Sequence, residues 1–128
     1  MMPGKLVYEY ASIRLVPKVE RGEFINIGLI LFSKRKKYLK LKYHLDKKRI
    51  SAFSKDIDIA EIEKYLIHWD HICQGSPEGG KIAALDMPYR FRWITAPKST
   101  IIQCSSVHPG LCEEPERVLE RLFEQYVL

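Results

Sequence analysis

Between Pro17 and Phe32 the chain reads P-K-V-E-R-G-E-F-I-N-I-G-L-I-L-F, which sets two carboxylates (Glu20, Glu23), a guanidinium (Arg21) and a carboxamide (Asn26) before a strongly apolar run. Carboxylates beside an amide can hold a divalent cation and activate water, so Glu23 and Asn26 are candidates for acid–base or metal-assisted catalysis. The same residues also make a turn. In that reading Glu20 and Arg21 stand in solvent, Gly22 supplies the backbone conformation, and Asn26 satisfies backbone groups beside a bulge at Gly28. The spacing matches no catalytic motif.

A second set of residues suits anions. Arg14, Arg90 and Arg92 with Ser99, Thr100 and His108 can form a pocket in which guanidinium forks and hydroxyls meet phosphate or carboxylate. Arg14 shares a strand face with Tyr8 and Tyr10. If that face meets the 90–100 segment, the arginines join Glu20, Arg21, Glu23 and Asn26 along one binding groove. The alternative is a structural ion-pair network tying two halves of the fold together. Glu9, on the apolar side of the same strand, has no partner that the sequence identifies.

Lys34, Arg35, Lys36, Lys37, Lys40 and Lys42, with Tyr38 and Tyr43 interleaved, could contact nucleic-acid phosphates and stack bases; the basic run extends to Arg49. Lysines also protect hairpin turns and strand edges from aggregation, and no reader motif is present. Cys104, His108 and Cys112, with Cys73 or His71 as a fourth ligand, are spaced too loosely for a zinc knuckle, so no metal is assigned. His68 and His71 share a polar helix face with Lys64, whose ammonium would repel a cation. No sequence feature calls for a cofactor.

The elements that must position these groups follow from periodicity. Val7, Ala11, Ile13 and Leu15 alternate with Tyr8, Tyr10, Ser12 and Arg14, the two-residue period of a half-buried strand. After the turn a second strand follows, with Ile25, Ile27, Leu29 and Leu31 on the core face and Phe24, Asn26, Gly28, Ile30 and Phe32 on the other. Tyr38 to Tyr43 is a third strand with one wet face. Asp58 opens a helix whose Ile59, Ile62, Leu66, Trp69 and Cys73 form one stripe, ending near Gly75. Tyr89 to Thr95 is a short helix or an extended segment, Ser99 to Val107 a further strand, and Pro115 opens a last amphipathic helix. The expected architecture is α+β, an antiparallel β-sheet from the N-terminal meander plus a later strand, with the two main helices packed on one face.

With 128 residues the chain has the length of one domain, and 46% hydrophobic with 29% charged residues excludes disorder and fibrous repeats. No apolar run approaches the roughly 20 residues that span a bilayer, and Glu9 interrupts the place of a signal core. Three scattered cysteines suit reduced thiols. These features point to a cytoplasmic protein. A net charge of +5 favours polyanionic partners without selecting one.

Tyr8 to Ala11 (Y-x-Y-A), Arg14 to Pro17 (R-x-V-P), Arg21 to Gly28 (R-G-E-F-x-N-x-G), Arg90 to Thr100 (R-F-R-W-x-T-A-P-x-S-T) and Val107 to Gly110 (V-H-x-G) together give a resemblance covering almost the whole chain. The chain resembles the uncharacterised bacterial domain-of-unknown-function family 3037. That resemblance brings no established reaction or cofactor, and the three cysteines lie outside its pieces. It implies an accessory or protein-interaction module, partner of a neighbouring-gene product such as a HipA-like kinase. The alternatives are a nucleic-acid-binding protein using the Lys34 to Arg49 region, and a phosphate- or nucleotide-directed hydrolase using Glu23, Asn26, Arg90 and Arg92.

Overall fold

The computed structural model describes residues 4–98 and 100–128, apart from the Val19 side chain. Strands β1 (Leu6–Leu15), β2 (Ile25–Ser33) and β3 (Tyr38–Tyr43) form an antiparallel meander. They are followed by helices α1 (Lys47–Phe53), α2 (Ile59–Gln74), α3 (Gly80–Ala83) and α4 (Met87–Thr95), strands β4 (Ile102–Cys104) and β5 (His108–Cys112), and helix α5 (Pro115–Tyr126). The fold is α+β. The order is β3-β2-β1, with β4 and β5 sharing the outer edge of β1 in tandem. Ser105 fills the gap between them: its Oγ accepts from Ser12 N and its own N–H donates to Ser12 O, both at 2.9 Å. The ladder therefore continues where the strand breaks.

The sheet is covered on both faces, which corrects the expectation that both main helices pack on one. Ala11, Ile13, Ile30, Phe32, Leu39 and Leu41 pack under α2 and α4, while Tyr8, Leu29 and Leu31 pack under α5. The cause is the β-bulge between the Ile13/Arg14 register and β2, where Ile13 opposes Gly28 but Arg14 opposes Asn26. Ile27 is the extra residue. It keeps Ile25 and Ile27 on the α2 face and sends Leu29 and Leu31 to the other, so the stripe expected as one core face serves two cores. Gly28 is required there, because a Cβ would stand 2.9 Å from Lys42 O.

Local signals account for the helices. Asp58 Oδ1 accepts from Ala60 N and Glu61 N, and Gly75 ends α2 at φ 69°. Asp46 caps α1 in the same way through Arg49 N. Residues 89–95, expected as helix or extended segment, lie in α4, whose Phe91 stacks on Phe32 with centroids 5.1 Å apart. The strand expected over 99–107 is confined to β4. On the α5 face, Leu119, Leu122 and Phe123 are buried, each worth about 1.5–3 kcal/mol. Among the described residues no helix is long and apolar enough to cross a membrane.

Candidate functional site

Helix α4 begins at Met87 and Pro88, beside Phe32 at the end of β2, and the short turn after Ser33 brings Lys34 to the same place. Two adjoining cavities open there, of about 460 and 640 Å³, both lined by Phe32, Lys34, Pro88 and Arg92. The first also takes in Lys5, Val7, Glu9, Arg35 and Leu111, and the second Lys37, Asp86 and Tyr89. Together they form a groove with cations around an apolar floor.

Each wall has a local cause. The hairpin turn must project its side chains, so Lys34, Arg35, Lys36 and Lys37 are all exposed, and Lys37 takes φ 51° to close it. Arg92 lies on the exposed side of α4, with its Cζ 6.0 Å from the Tyr89 ring centroid. Val7 and Leu111 oppose each other in the β1–β5 register and are 58% and 53% exposed, beyond the reach of either helix layer. Among the described residues Lys34, Arg35, Lys37 and Arg92 enter no ion pair, whereas Lys5 lies 3.9 Å from Glu113. Glu9 and Asp86 are the carboxylates of the lining.

The remaining basic residues behave differently. Lys40 and Lys42 point to the α5 face, where Glu116 (2.9 Å) and Glu120 (2.6 Å) neutralise them. The Tyr38 hydroxyl also donates to Glu116, holding that carboxyl below its ordinary value, first through Tyr38 and then through Lys40. The basic run expected as one surface is therefore divided: its turn is free and its strand is paired.

Of the single groove expected from Arg14, Glu20, Arg21, Glu23, Asn26, Arg90, Arg92, Ser99, Thr100 and His108, the described residues are dispersed over the fold. Arg14 and Asn26 are opposed across β1 and β2, with Arg14 Cζ 4.0 Å from the Phe24 ring centroid. Arg14 Nε and Asn26 Oδ1 are buried without a hydrogen-bond partner. His108 shares their sheet face further along, beside Tyr10, whose hydroxyl is 3.1 Å from that of Tyr126. That hydrogen bond and then burial push the Tyr10 phenol up to about 12.

Glu20, Arg21 and Glu23 lie in the β1–β2 connection, exposed, with Arg21 paired to Glu23. Arg21 and Glu23 line a separate cleft of about 220 Å³. Arg90 Nη1 donates to Ile72 O (2.9 Å) and Cys73 O (2.8 Å), closing the end of α2. Thr100 Oγ1 donates to Ile102 O within its own turn, and Ser99 lies outside the described residues. Thus Glu23, Asn26, Arg90 and Arg92 occupy four different settings, and the hydrolase constellation is not assembled.

Among the described residues no group of three or more His, Cys, Asp and Glu is placed to hold a metal. Cys73 belongs to the α2 core and Cys112 to the α5 core, so C-x-x-x-H-x-x-x-C cannot converge with Cys73. Burial pushes all three thiols up, Cys104 to about 12.

Sequence reading found Arg92 and the Lys34–Lys37 turn but assigned them to different sites, and it missed Lys5, Val7, Phe32, Pro88 and Leu111. One signal was present. Glu9 follows Val7 on the same strand face, and a carboxylate on an apolar side marks where the core ends and solvent begins.

No curated protein and no solved structure matches the chain. A family model described as protein of unknown function (DUF3037) matches residues 10–127. It takes in Phe32, Lys34, Arg35, Arg92 and Leu111 of the groove and leaves Lys5, Val7 and Glu9 before its start. The match covers nearly the whole chain, which belongs to that family of proteins of unknown function.

Proposed function

We propose that the protein is an accessory binding module whose groove between α4 and the β2–β3 turn receives an acidic, partly apolar segment of another protein. The observation that carries this reading is the mixture in one place: Lys34, Arg35, Lys37 and Arg92, outside every ion pair among the described residues, beside Val7 and Leu111, more than half exposed. Free cations favour an anionic partner and speed its encounter, while aliphatic side chains contribute only if something apolar covers them. Tyr89 offers one exposed ring on which a base could stack, but Val7 and Leu111 offer none, and this aliphatic share of the lining favours a polypeptide over a nucleic acid.

The test is binding of an acidic peptide and, separately, a single-stranded oligonucleotide of matched charge, followed by fluorescence anisotropy at low and physiological salt. The peptide is expected to bind more tightly. Arg35→Glu and Arg92→Ala should each weaken it by about tenfold, roughly 1.4 kcal/mol, while Lys64→Glu on the exposed side of α2 leaves it unchanged. Tighter binding of the oligonucleotide, with a steep salt slope removed by Arg35→Glu, would replace the reading with nucleic-acid recognition.

A further inference from the structure

Strand β5 hydrogen-bonds to β1 on one side, and among the described residues no strand lies along its other side. A free edge presents unpaired backbone N–H and C=O groups, a template for another extended chain. Natural edges are commonly blunted by Pro or Lys, and here Pro109 withdraws one donor near the start of β5. Gly110, Leu111 and Cys112 bring no charge and no proline. Leu111, 53% exposed, sits on this edge strand and lines the groove.

We infer that the acidic segment docks by adding a strand to the free edge of β5, sending alternate side chains over Leu111 and Val7 toward Lys5 and Arg92. This rests on the groove reading above and adds the mode of docking. An added strand lies about 4.8 Å from β5 and repeats its side-chain direction every second residue. Each apolar residue on the groove side therefore packs on Leu111, and the acidic neighbours two positions away pass the cations. Main-chain bonds supply affinity and the alternate pockets supply specificity, the division of labour in β-strand addition. Charge favours an acidic segment over a second copy, because a second copy would bring to this groove a lining with the same excess of cations. The opposite edge, β3, offers no such combination, because its Lys40 and Lys42 already pair with α5.

The probe is a short synthetic peptide of repeating Val-Thr-Glu-Thr, which sets valine and glutamate two positions apart on one face, and its twin carries an N-methyl group on every residue. The twin keeps charge and apolar surface but cannot extend a ladder. Binding is read by anisotropy, and hydrogen exchange is followed at the Leu111 amide. The expected result is that the unmethylated peptide binds, the twin binds more weakly by about tenfold or more, and Leu111 gains protection only with the first. Equal binding of both peptides with Leu111 exchange unchanged overturns strand addition and leaves the groove reading standing. Failure of both to bind at low salt overturns the two together. Because the decisive change is made in the peptide, no variant of the protein has to fold for the result to count.

Discussion

Arg90 and Arg92 stand two positions apart on α4, and they should give opposite phenotypes. Arg90 Nη1 donates to two carbonyls at the end of α2, Ile72 O at 2.9 Å, which also accepts from Gly75 N, and Cys73 O at 2.8 Å, among the last acceptors that have no partner within the helix. Hydrogen bonds from a charged donor contribute about 1.5–3 kcal/mol, and a cation at a helix C-terminus adds about 0.3–1 kcal/mol. Against this, Arg90 Nε is buried without a partner, an existing cost that truncation removes. The net loss expected for Arg90→Ala is therefore about 1–3 kcal/mol. Arg92 is exposed and enters no ion pair among the described residues, with its Cζ 6.0 Å from the Tyr89 ring centroid, so Arg92→Ala should stay within about 0.5 kcal/mol of the parent protein. Urea unfolding followed by circular dichroism measures both, and the peptide assay measures binding by each variant while folded. Arg90→Ala should unfold earlier yet bind the acidic peptide normally, and Arg92→Ala the reverse. Equal stability of the two variants would refute the capping role of Arg90. An affinity loss confined to Arg90→Ala would move the anion site from the groove to the α2 terminus.

Two further outcomes follow from packing and charge. Gly110 lies against the Tyr8 ring so closely that an added Cβ would collide with it, and Tyr8 belongs to the core under α5; Gly110→Ala should cost about 1–3 kcal/mol in thermal or urea unfolding, and a variant as stable as the parent would show that Tyr8 has room to move. Glu116 is held below its ordinary value of 4.5 in the folded protein by Tyr38 and Lys40, so its stabilisation is complete above that pH and is lost as pH falls through the depressed folded value. Its side chain is half exposed, which limits the effect to about 1 kcal/mol. Glu116→Gln should lower stability at neutral pH and flatten the acid limb of the unfolding profile, and an unchanged acid limb would contradict the assignment.

The α+β class, the β1–β3 meander and helices α2 and α5 were legible because their signals are local, whereas β5 lies beyond the strand expected over 99–107 and was not. Alternation marks β1, Asp58 and Gly75 bracket α2, and Pro115 opens α5. The distribution of helices over the sheet was not legible, although its determinant is a single residue. Period-two reading assumes an unbroken pleat, and with that assumption Ile25, Ile27, Leu29 and Leu31 form one face. The extra residue at Ile27 leaves the pattern of residue types unchanged while reversing everything after it. The expected bulge at Gly28 was correct as a place, but its consequence for facing was not carried along the strand. Both faces of β2 beyond it are apolar, and that is the trace of burial on two sides.

Site legibility failed for a different reason. Arginines were grouped by chemistry, but a guanidinium that binds a ligand and one that closes a helix have the same local sequence, as Arg90 and Arg92 demonstrate within one motif piece. What separates them is the helical rotation between the two positions, about 200°, which turns Arg90 toward α2 when Arg92 faces out. A fully helical reading of the 89–95 segment would have forbidden both from serving one pocket. The same argument bears on the opening cluster. Glu23 in the connection and Asn26 in the strand are close in sequence, yet the first is paired to Arg21 in solvent and the second faces Arg14 across the sheet. Proximity in sequence places residues in the same element only when no turn intervenes. The groove was assembled instead by long-range pairing: β5 brings Leu111 opposite Val7, and α4 returns across the sheet to set Arg92 beside Lys34. Such a site is composed of residues whose separate local readings, a strand residue, a turn lysine and a helix arginine, carry no common mark until the fold joins them.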